Sequence, residues 1–330
     1  MYAVDPGDEG RHEPGPDVWW NESWYLDFVA DDGSIGGYAR LGLYPNQSVA
    51  WWTVAVVGPD RALVEAVDLA LPLPLGPADM DIEAHGTSLA CVIEEPLQAM
   101  RVVSSGPGTR YDDPGDVYHH APGDPVPAPG SSPVHLDLDL VWRSDGRPHH
   151  YVRTTRYEIP CLVEGTLAID GEPIAITGQG QRDHSWAPRD WWSFDWCWFA
   201  GRLDDGTRAH GVDIRVAPGL RLSFGYRQGP GGDAGDDIGG DDVGIEDGLV
   251  VDEALGDHGF PTSGTIVCPP VGLDLAVEPI AFAPLRFDHP DGRIDHFPRA
   301  MTRFTATDGR TGLGWIEWNQ VQPQPRPDAD

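Results

Sequence analysis

Residues 24–41, WYLDFVADDGSIGGYARL, hold an aromatic run, an Asp31-Asp32-Gly33 turn and a second run, Tyr38-Ala39-Arg40-Leu41. That order reads as a strand, a tight turn and a returning strand. Residues 198–215, WFAGRLDDGTRAHGVDIR, repeat the arrangement through Asp204-Asp205-Gly206 into Val212-Asp213-Ile214-Arg215, at an offset of 173 from Asp31 to Asp204. A second pair of look-alike segments shares an offset of 134, with Gly178, Gly180 and Asp183 mapping onto Gly312, Gly314 and Glu317. The two offsets predict an internal duplication with a shorter second half, each half ending on a Gly-x-Gly strand that carries a carboxylate.

The rest of the chain fits this unit. Its 41 Gly and 32 Pro break it into short runs rich in Val, Ile, Thr, Trp and Tyr, separated by turns such as SDG, IDG and TDG, and helical periodicity is scarce. The predicted class is all-β, as two consecutive antiparallel barrel or sandwich halves over 17–186 and 187–322, between loose tails at 1–16 and 323–330. Two low-complexity stretches, 105–133 and the acidic 228–247, read as surface loops; the second lacks the period or terminal Glu of a calcium loop.

With 330 residues and 40% hydrophobic content, the chain is long enough for two cores. No apolar stretch approaches the roughly 18 residues of a membrane helix, and the N-terminus has neither a basic start nor an apolar core, so a soluble cytoplasmic protein is expected. The net charge of -31 rests on 53 acidic residues against 22 basic ones, all of them Arg. Neither nucleic acid nor an anionic membrane surface is therefore expected as a partner. Cys91, Cys161, Cys197 and Cys268 form no CxxC pair and are expected as buried free thiols.

The most unusual segment is 178–198, GQGQRDHSWAPRDWWSFDWCW, where five of the 13 Trp interleave with Arg182, Asp183, His184, Arg189, Asp190 and Asp195. Buried charges need partners, so Arg182, Arg189 and Asp190 are read as pairing residues. Trp186, Trp191, Trp192, Trp196 and Trp198, with Trp24 and Tyr25, are the candidate wall of a cavity for an apolar small molecule, and Glu22 and Glu317 its candidate polar groups. A second reading stays open: the Trp residues fill a barrel interior and the Arg-Asp-His network pins a strand end. His119-His120 and His149-His150 are adjacent pairs whose members point to opposite faces of a strand, so neither is expected to hold a metal. No phosphate loop, dinucleotide fingerprint or nucleophile elbow occurs, and no metal or cofactor is expected.

Gly178-x-Gly180-x-Arg182-Asp183-His184-Ser185-Trp186, followed by Arg189-Asp190-Trp191 and a Trp-rich strand into Asp205-Gly206, resembles the signature of the hydroxyneurosporene synthase, or carotenoid 1,2-hydratase, superfamily. Asn21-Glu22-Ser23-Trp24-Tyr25 and Gly314-Trp315-Ile316-Glu317-Trp318 are similar to the ends of its actinobacterial relatives of unassigned function. The resemblance implies two lipocalin-like barrels with a site near their junction, and acid-initiated hydration or ring closure at an isoprenoid double bond. It places the family's His-x-Trp pair on His184 and Trp186 and its acid on Asp213. Gly211, where the hydratases carry Tyr, and Ala187, where Gly follows the Trp, depart from the pattern and leave the carotenoid substrate unsupported.

Such a reaction needs an acid kept protonated by an apolar site, and Trp faces to stabilise the resulting carbocation. Asp213 or Asp183 could be that acid; Asp213 is the expected donor, with Asp183, beside Arg182, ionised and orienting His184, and His184 either accepts the closing proton, orients the acid or is a buried neutral imidazole. The rival reading is a lipocalin-like carrier that binds an apolar molecule unchanged. A third, an interaction module, requires an exposed aromatic patch.

Overall fold

A computed structural model describes residues 4–76, 78–119, 128–230 and 242–322. In the first half the strands are β1 (Trp20–Ala30), β2 (Gly36–Tyr44), β3 (Val49–Gly58), β4 (Arg61–Pro72), β5 (Asp81–Ala84), β6 (Thr87–Glu95), β7 (Ala99–Tyr111), β8 (Ser131–Ser144), β9 (His149–His150), β10 (Arg156–Ile169) and β11 (Glu172–Pro188). Their order is β4-β3-β2-β1-β11-β10-β8-β7-β6-β5, with β9 on β10, and a β4–β7 ladder closes the sheet.

The second half contains β12 (Asp195–Leu203), β13 (Arg208–Ala217), β14 (Leu220–Gln228), β15 (Val243–Ile245), β16 (Val250–Leu255), β17 (Pro261–Cys268), β18 (Leu273–Phe282), β19 (Leu285–Asp288), β20 (Ile294–Phe297), β21 (Arg299–Ala306) and β22 (Thr311–Val321). Its order, β15-β14-β13-β12-β22-β21-β18-β17-β16, repeats the first, with β20 joining β22 and β19 joining β20. Every ladder among the described residues is antiparallel, so the all-β, two-half expectation holds. None of the described helices is long and apolar enough to cross a membrane.

Register makes the duplication exact residue by residue. Ala30 lies opposite Gly178 as Leu203 lies opposite Gly312, and Tyr25 opposite Asp183 as Trp198 opposite Glu317. The Gly-x-Gly positions are forced by close approach: a Cβ on Gly180 would run into the Asp27 carbonyl oxygen, and one on Gly314 into that of Ala200. The paired turns are also alike. Asp32 accepts from the Ser34 N–H and Asp205 from the Thr207 N–H, both at 2.9 Å, and Gly33 and Gly206 take φ of +69° and +85°.

Each half has its own interior, built in the first around Trp24, Phe28, Leu41, Trp52 and Trp142, and in the second around Cys197, Phe199, Phe304, Ile316 and Trp318. The outward faces of β1, β2, β12 and β22 pack on one another through Tyr25, Tyr38, Trp198 and Trp315. Trp315 Nε1 donates across this junction to the Phe28 carbonyl at 2.9 Å, and removing so buried a Trp costs about 3–5 kcal/mol. The four cysteines are free and buried.

Three expectations change. The N-terminal segment is anchored rather than loose, because Val4 and Glu9 are buried against the first barrel although Asp5, Pro6, Gly7, Glu13, Pro14 and Pro16 are exposed. The stretch read as a loop from 105 begins as strand: Ser105–Tyr111 continue β7 and pair with β8 as the arms of a long hairpin. The first half ends at Pro188 rather than Trp186, since β11 keeps pairing with β1 as far as Trp20 opposite Pro188. His120, most of the acidic stretch (231–241) and the tail 323–330 lie outside the described residues.

Candidate functional site between the halves

Strand alternation splits the Arg182–Trp186 block in two. Successive side chains of β11 point to opposite faces, so Arg182, His184 and Trp186 face the interior of the first barrel while Asp183 and Ser185 face the junction. Asp183 therefore does not orient His184, and the single cluster expected from sequence is two.

On the inner face, His184 Nε2 lies 3.0 Å from Glu22 Oε1 and its ring stacks on Trp24 at 4.4 Å. The partner of Arg182 is Glu9, at 2.6 Å, with both side chains 2% exposed. Glu9 also accepts from Tyr157 and from the Leu97 N–H. Burial pushes the Glu9 carboxyl up, but the Arg182 guanidinium and these hydrogen bonds outweigh it and hold the group below its ordinary range.

On the junction face, Arg156 Nη2 bridges Asp183, at 2.6 Å, and Glu158, at 2.8 Å. Glu158 also accepts from Trp198 Nε1 at 3.1 Å and Gln181 Nε2 at 2.9 Å, so it ties the two halves together. His210 Nδ1 faces the Phe199 carbonyl at 2.9 Å, which can only accept. Its proton is thus on Nδ1, and Nε2 accepts from the Tyr151 hydroxyl at 2.5 Å. Burial, with Arg156 nearby, drives the His210 pKa well below its usual value and keeps the ring neutral. Burial also raises Asp183 more than Arg156 lowers it, leaving its pKa at about 6.

Beside this network a cavity of about 200 Å³ opens between the halves. Its apolar wall includes Trp191, Trp196, Val212, Ile214 and Phe224; its polar groups include Tyr151, Arg156, Ser185 and Arg189. Arg189 donates to Ser185 Oγ at 2.9 Å and sits 4.9 Å from the Trp191 ring centre. Burial, then repulsion from Arg156 and Arg40, lowers the Arg189 pKa to about 10, so it remains a cation at neutral pH.

The other expected residues fall elsewhere. Asp213 faces the interior of the second half, buried beside Cys197, where Arg221 pairs with it and the Val251 N–H donates at 3.1 Å. Burial raises its pKa while those partners oppose the rise. It lies on the face of β13 opposite Val212 and Ile214, so alternation keeps it off the cleft. Trp192 donates to the Phe287 carbonyl in a buried aromatic cluster, while Asp190 does line the edge of the cleft, where it accepts from the Trp192 N–H and meets Arg293 at 3.4 Å. Glu317 pairs with Arg299 at 2.8 Å, whose guanidinium lies 5.0 Å from the Tyr25 ring centre. Trp191, Trp192 and Trp198 are buried and Trp186 and Trp196 half-buried, so the segment presents no exposed aromatic patch.

Sequence reasoning missed Glu9, His12, Tyr151, Arg156, Glu158 and His210. One signal was available: in Arg156-Tyr157-Glu158-Ile159 the charges alternate with apolar residues, as expected for a strand with an inner and a polar outer face.

A family model described as a domain of unknown function, DUF7064, matches residues 5–322. No curated protein matches the chain. Among solved structures, a putative AttH from Nitrosomonas europaea is 14% identical, with a TM-score of 0.65, over 97% of this chain and 98% of that one. Kievitone hydratase from Nectria haematococca is 11% identical, with a TM-score of 0.56, over 92% and 90%. CghA, solved with Sch210972, is 12% identical, with a TM-score of 0.56, over 92% and 89%. At these identities the likeness is one of fold, and at that level it agrees with the carotenoid hydratase-like superfamily read from Gly178–Trp186.

Proposed function

We propose, from the premise that the chain belongs to the DUF7064 family, that it is a hydratase or cyclase working by acid–base chemistry on an apolar small molecule in the cleft between its halves. The observation that carries this reading is the pairing of an aromatic wall, Trp191, Trp196 and Phe224, with Arg189, Ser185 and Arg156, behind which, 2.6 Å from its guanidinium, lies the Asp183 carboxyl with a pKa of about 6. A carboxyl with that pKa is protonated in a useful fraction near neutral pH and still acidic enough to donate.

The cationic edge of the cleft refines the substrate class. A bare carbocation beside Arg156 and Arg189 would be repelled, whereas a carbonyl, enone or carboxylate oxygen would be held by the two guanidiniums and the Ser185 hydroxyl. The substrate is then an apolar, prenyl- or polyene-bearing molecule with one such oxygen. Its reacting end occupies the cleft, since about 200 Å³ is little more than the 150 Å³ that accepts benzene. Asp183, positioned by Arg156, protonates the polarised oxygen, water or an internal alkene adds to the double bond so activated, and the Asp183 carboxylate takes back the proton that the addition releases.

The test is incubation with a panel of prenylated phenols, polyene ketones and terpenoid acids, read by mass spectrometry, with binding followed by Trp fluorescence. Wild type converts at least one compound, Asp183→Asn binds it without converting it, and Arg189→Gln binds it at least tenfold more weakly. A compound that binds tightly and is released unchanged by wild type makes the protein a carrier and overturns the enzymatic reading.

A further inference from the structure

The mouth of the first barrel carries a second constellation that the cleft does not use. His12 Nδ1 lies 2.7 Å and His184 Nε2 3.0 Å from the same Glu22 oxygen, and the three ligand atoms all lie within 4.8 Å of one another. Glu22 and His184 are each 1% exposed and His12 is 22% exposed, so the group is walled on the barrel side and reachable from outside. Register accounts for two of the three. Glu22 lies opposite Trp186 and Trp24 opposite His184, which makes Glu22 and His184 diagonal neighbours on one face of the β1–β11 ladder.

His12 arrives from the N-terminal segment and is held in place independently of its ring nitrogens. Its ring stacks on Trp186 at 3.8 Å with 8° between planes, and its backbone N–H reaches both Glu22 oxygens at 3.0 Å. Its other ring nitrogen faces the Asp8 carboxylate at 3.6 Å, the outer-carboxylate arrangement common to metal-bound histidines. Trp24 fixes the plane of the His184 ring from one side, and Tyr157 meets it edge-on at 5.5 Å.

We propose that His12, Glu22 and His184 form a site for a divalent transition metal, zinc by its donor set, which staples residues 8–12 across the mouth of the first barrel. Two imidazoles and a carboxylate suit zinc and its late first-row neighbours, whereas magnesium and calcium take oxygen ligands. Bonds of about 2.1 Å in a tetrahedral site put ligand atoms about 3.4 Å apart, which the present spacings reach by side-chain shifts of about an ångström. Three protein ligands leave a fourth position for water on the His12 side. The second half has no counterpart, because the positions equivalent to Glu22 and His184 are Asp195 and Trp318. The sequence, in which the three ligands are far apart, led to the opposite expectation. The site is separate from the cleft, since His184 and Asp183 occupy opposite faces of β11, so either proposal can fail without the other.

The test uses the full-length protein, stripped with EDTA and titrated with Co²⁺ and then Zn²⁺. Wild type is expected to bind one Co²⁺ with visible d–d absorption bands that Zn²⁺ displaces, and to gain several degrees in Tm at Zn²⁺ a hundredfold above its Kd. Glu22 is buried and its loss can unfold the barrel, so His12→Gln, on the partly exposed segment, is the decisive variant: it loses the bands and the Tm gain while remaining folded by circular dichroism. Equal Co²⁺ spectra in wild type and His12→Gln, or no metal-dependent change in the Tm of wild type, overturn the proposal.

Discussion

The two halves share a backbone register and differ in what they hang on it. Asp183 and Glu317 occupy equivalent places and each meets an arginine on the strand beside its own, Arg156 on β10 and Arg299 on β21, but Arg156 also holds Glu158, whereas Arg299 lies against the Tyr25, Tyr38 and Phe297 rings. Arg182 corresponds to Ile316 and His184 to Trp318, so two ionic or polar places on the inner face of the first half are apolar in the second, whose inner charge pair is Asp213 with Arg221 instead. A β4–β7 ladder closes the first sheet, and no equivalent ladder closes the second among the described residues. The Gly-x-Gly strand and the DDG turn fix the register, and once register is fixed each face can diverge separately. The charged pairs of the first half belong to the N-terminal segment and the junction, the two features its partner lacks or shares.

The largest effect should come from the inner faces. Arg182→Ala leaves the Glu9 carboxylate buried without its cation and should cost about 3–5 kcal/mol by urea denaturation, whereas Ile316→Val at the equivalent place should cost about 0.5–1.5 kcal/mol. Equal costs would mean that the inner faces are energetically alike despite their chemistry.

The glycines test what the halves have in common. Gly180→Ala and Gly314→Ala each push a methyl group into a backbone carbonyl across the ladder, so both should destabilise, by about 1–3 kcal/mol and to similar extents. A silent Gly314→Ala would show that the second half tolerates a wider strand spacing and break the equivalence.

Much of this architecture was legible because its signals are local. The turn residues Asp31-Asp32-Gly33 and Asp204-Asp205-Gly206 lie side by side in sequence, and the two offsets drawn from them and from Gly178 and Gly312 are the offsets of the ladders. The site was legible only in part. The Trp-rich block does border the cleft, through Trp191 and Trp196, but its charged members were read as neighbours because they adjoin in sequence, and alternation on β11 separates them. Partners such as Glu9 for Arg182, or Arg221 for Asp213, come from other strands or from the N-terminal segment, and no periodicity in one strand names them. Asp213 was placed by resemblance and local polarity, and a guanidinium from β14 supplies the charge that its own strand did not show.

The junction carboxylates should differ more subtly. Glu317→Gln leaves Arg299 buried without its carboxylate and should cost about 1–3 kcal/mol. Asp183→Asn, an isostere of the neutral acid, should leave stability at pH 7 unchanged or raise it, because Arg156 keeps Glu158 and a buried charge is removed. The pH dependence gives the sign. The folded state holds the Asp183 proton to about pH 6 and the unfolded chain releases it near 3.8, so the stability this proton confers is complete below 3.8 and is lost as pH rises through 6. Denaturation of wild type between pH 4 and 6 should show that decline, and Asp183→Asn should show a shallower one.

The central claim, that Asp183 is a proton donor poised at the junction, can be tested without knowing the substrate. Protein labelled with ¹³C at the aspartate side-chain carboxyls is titrated by NMR, and the Asp183 resonance is identified as the one missing from Asp183→Asn. That resonance should titrate near pH 6. A midpoint at or below about 4, the ordinary aspartate value, would mean that Asp183 is fully ionised at neutral pH as a structural partner of Arg156, and would contradict the account.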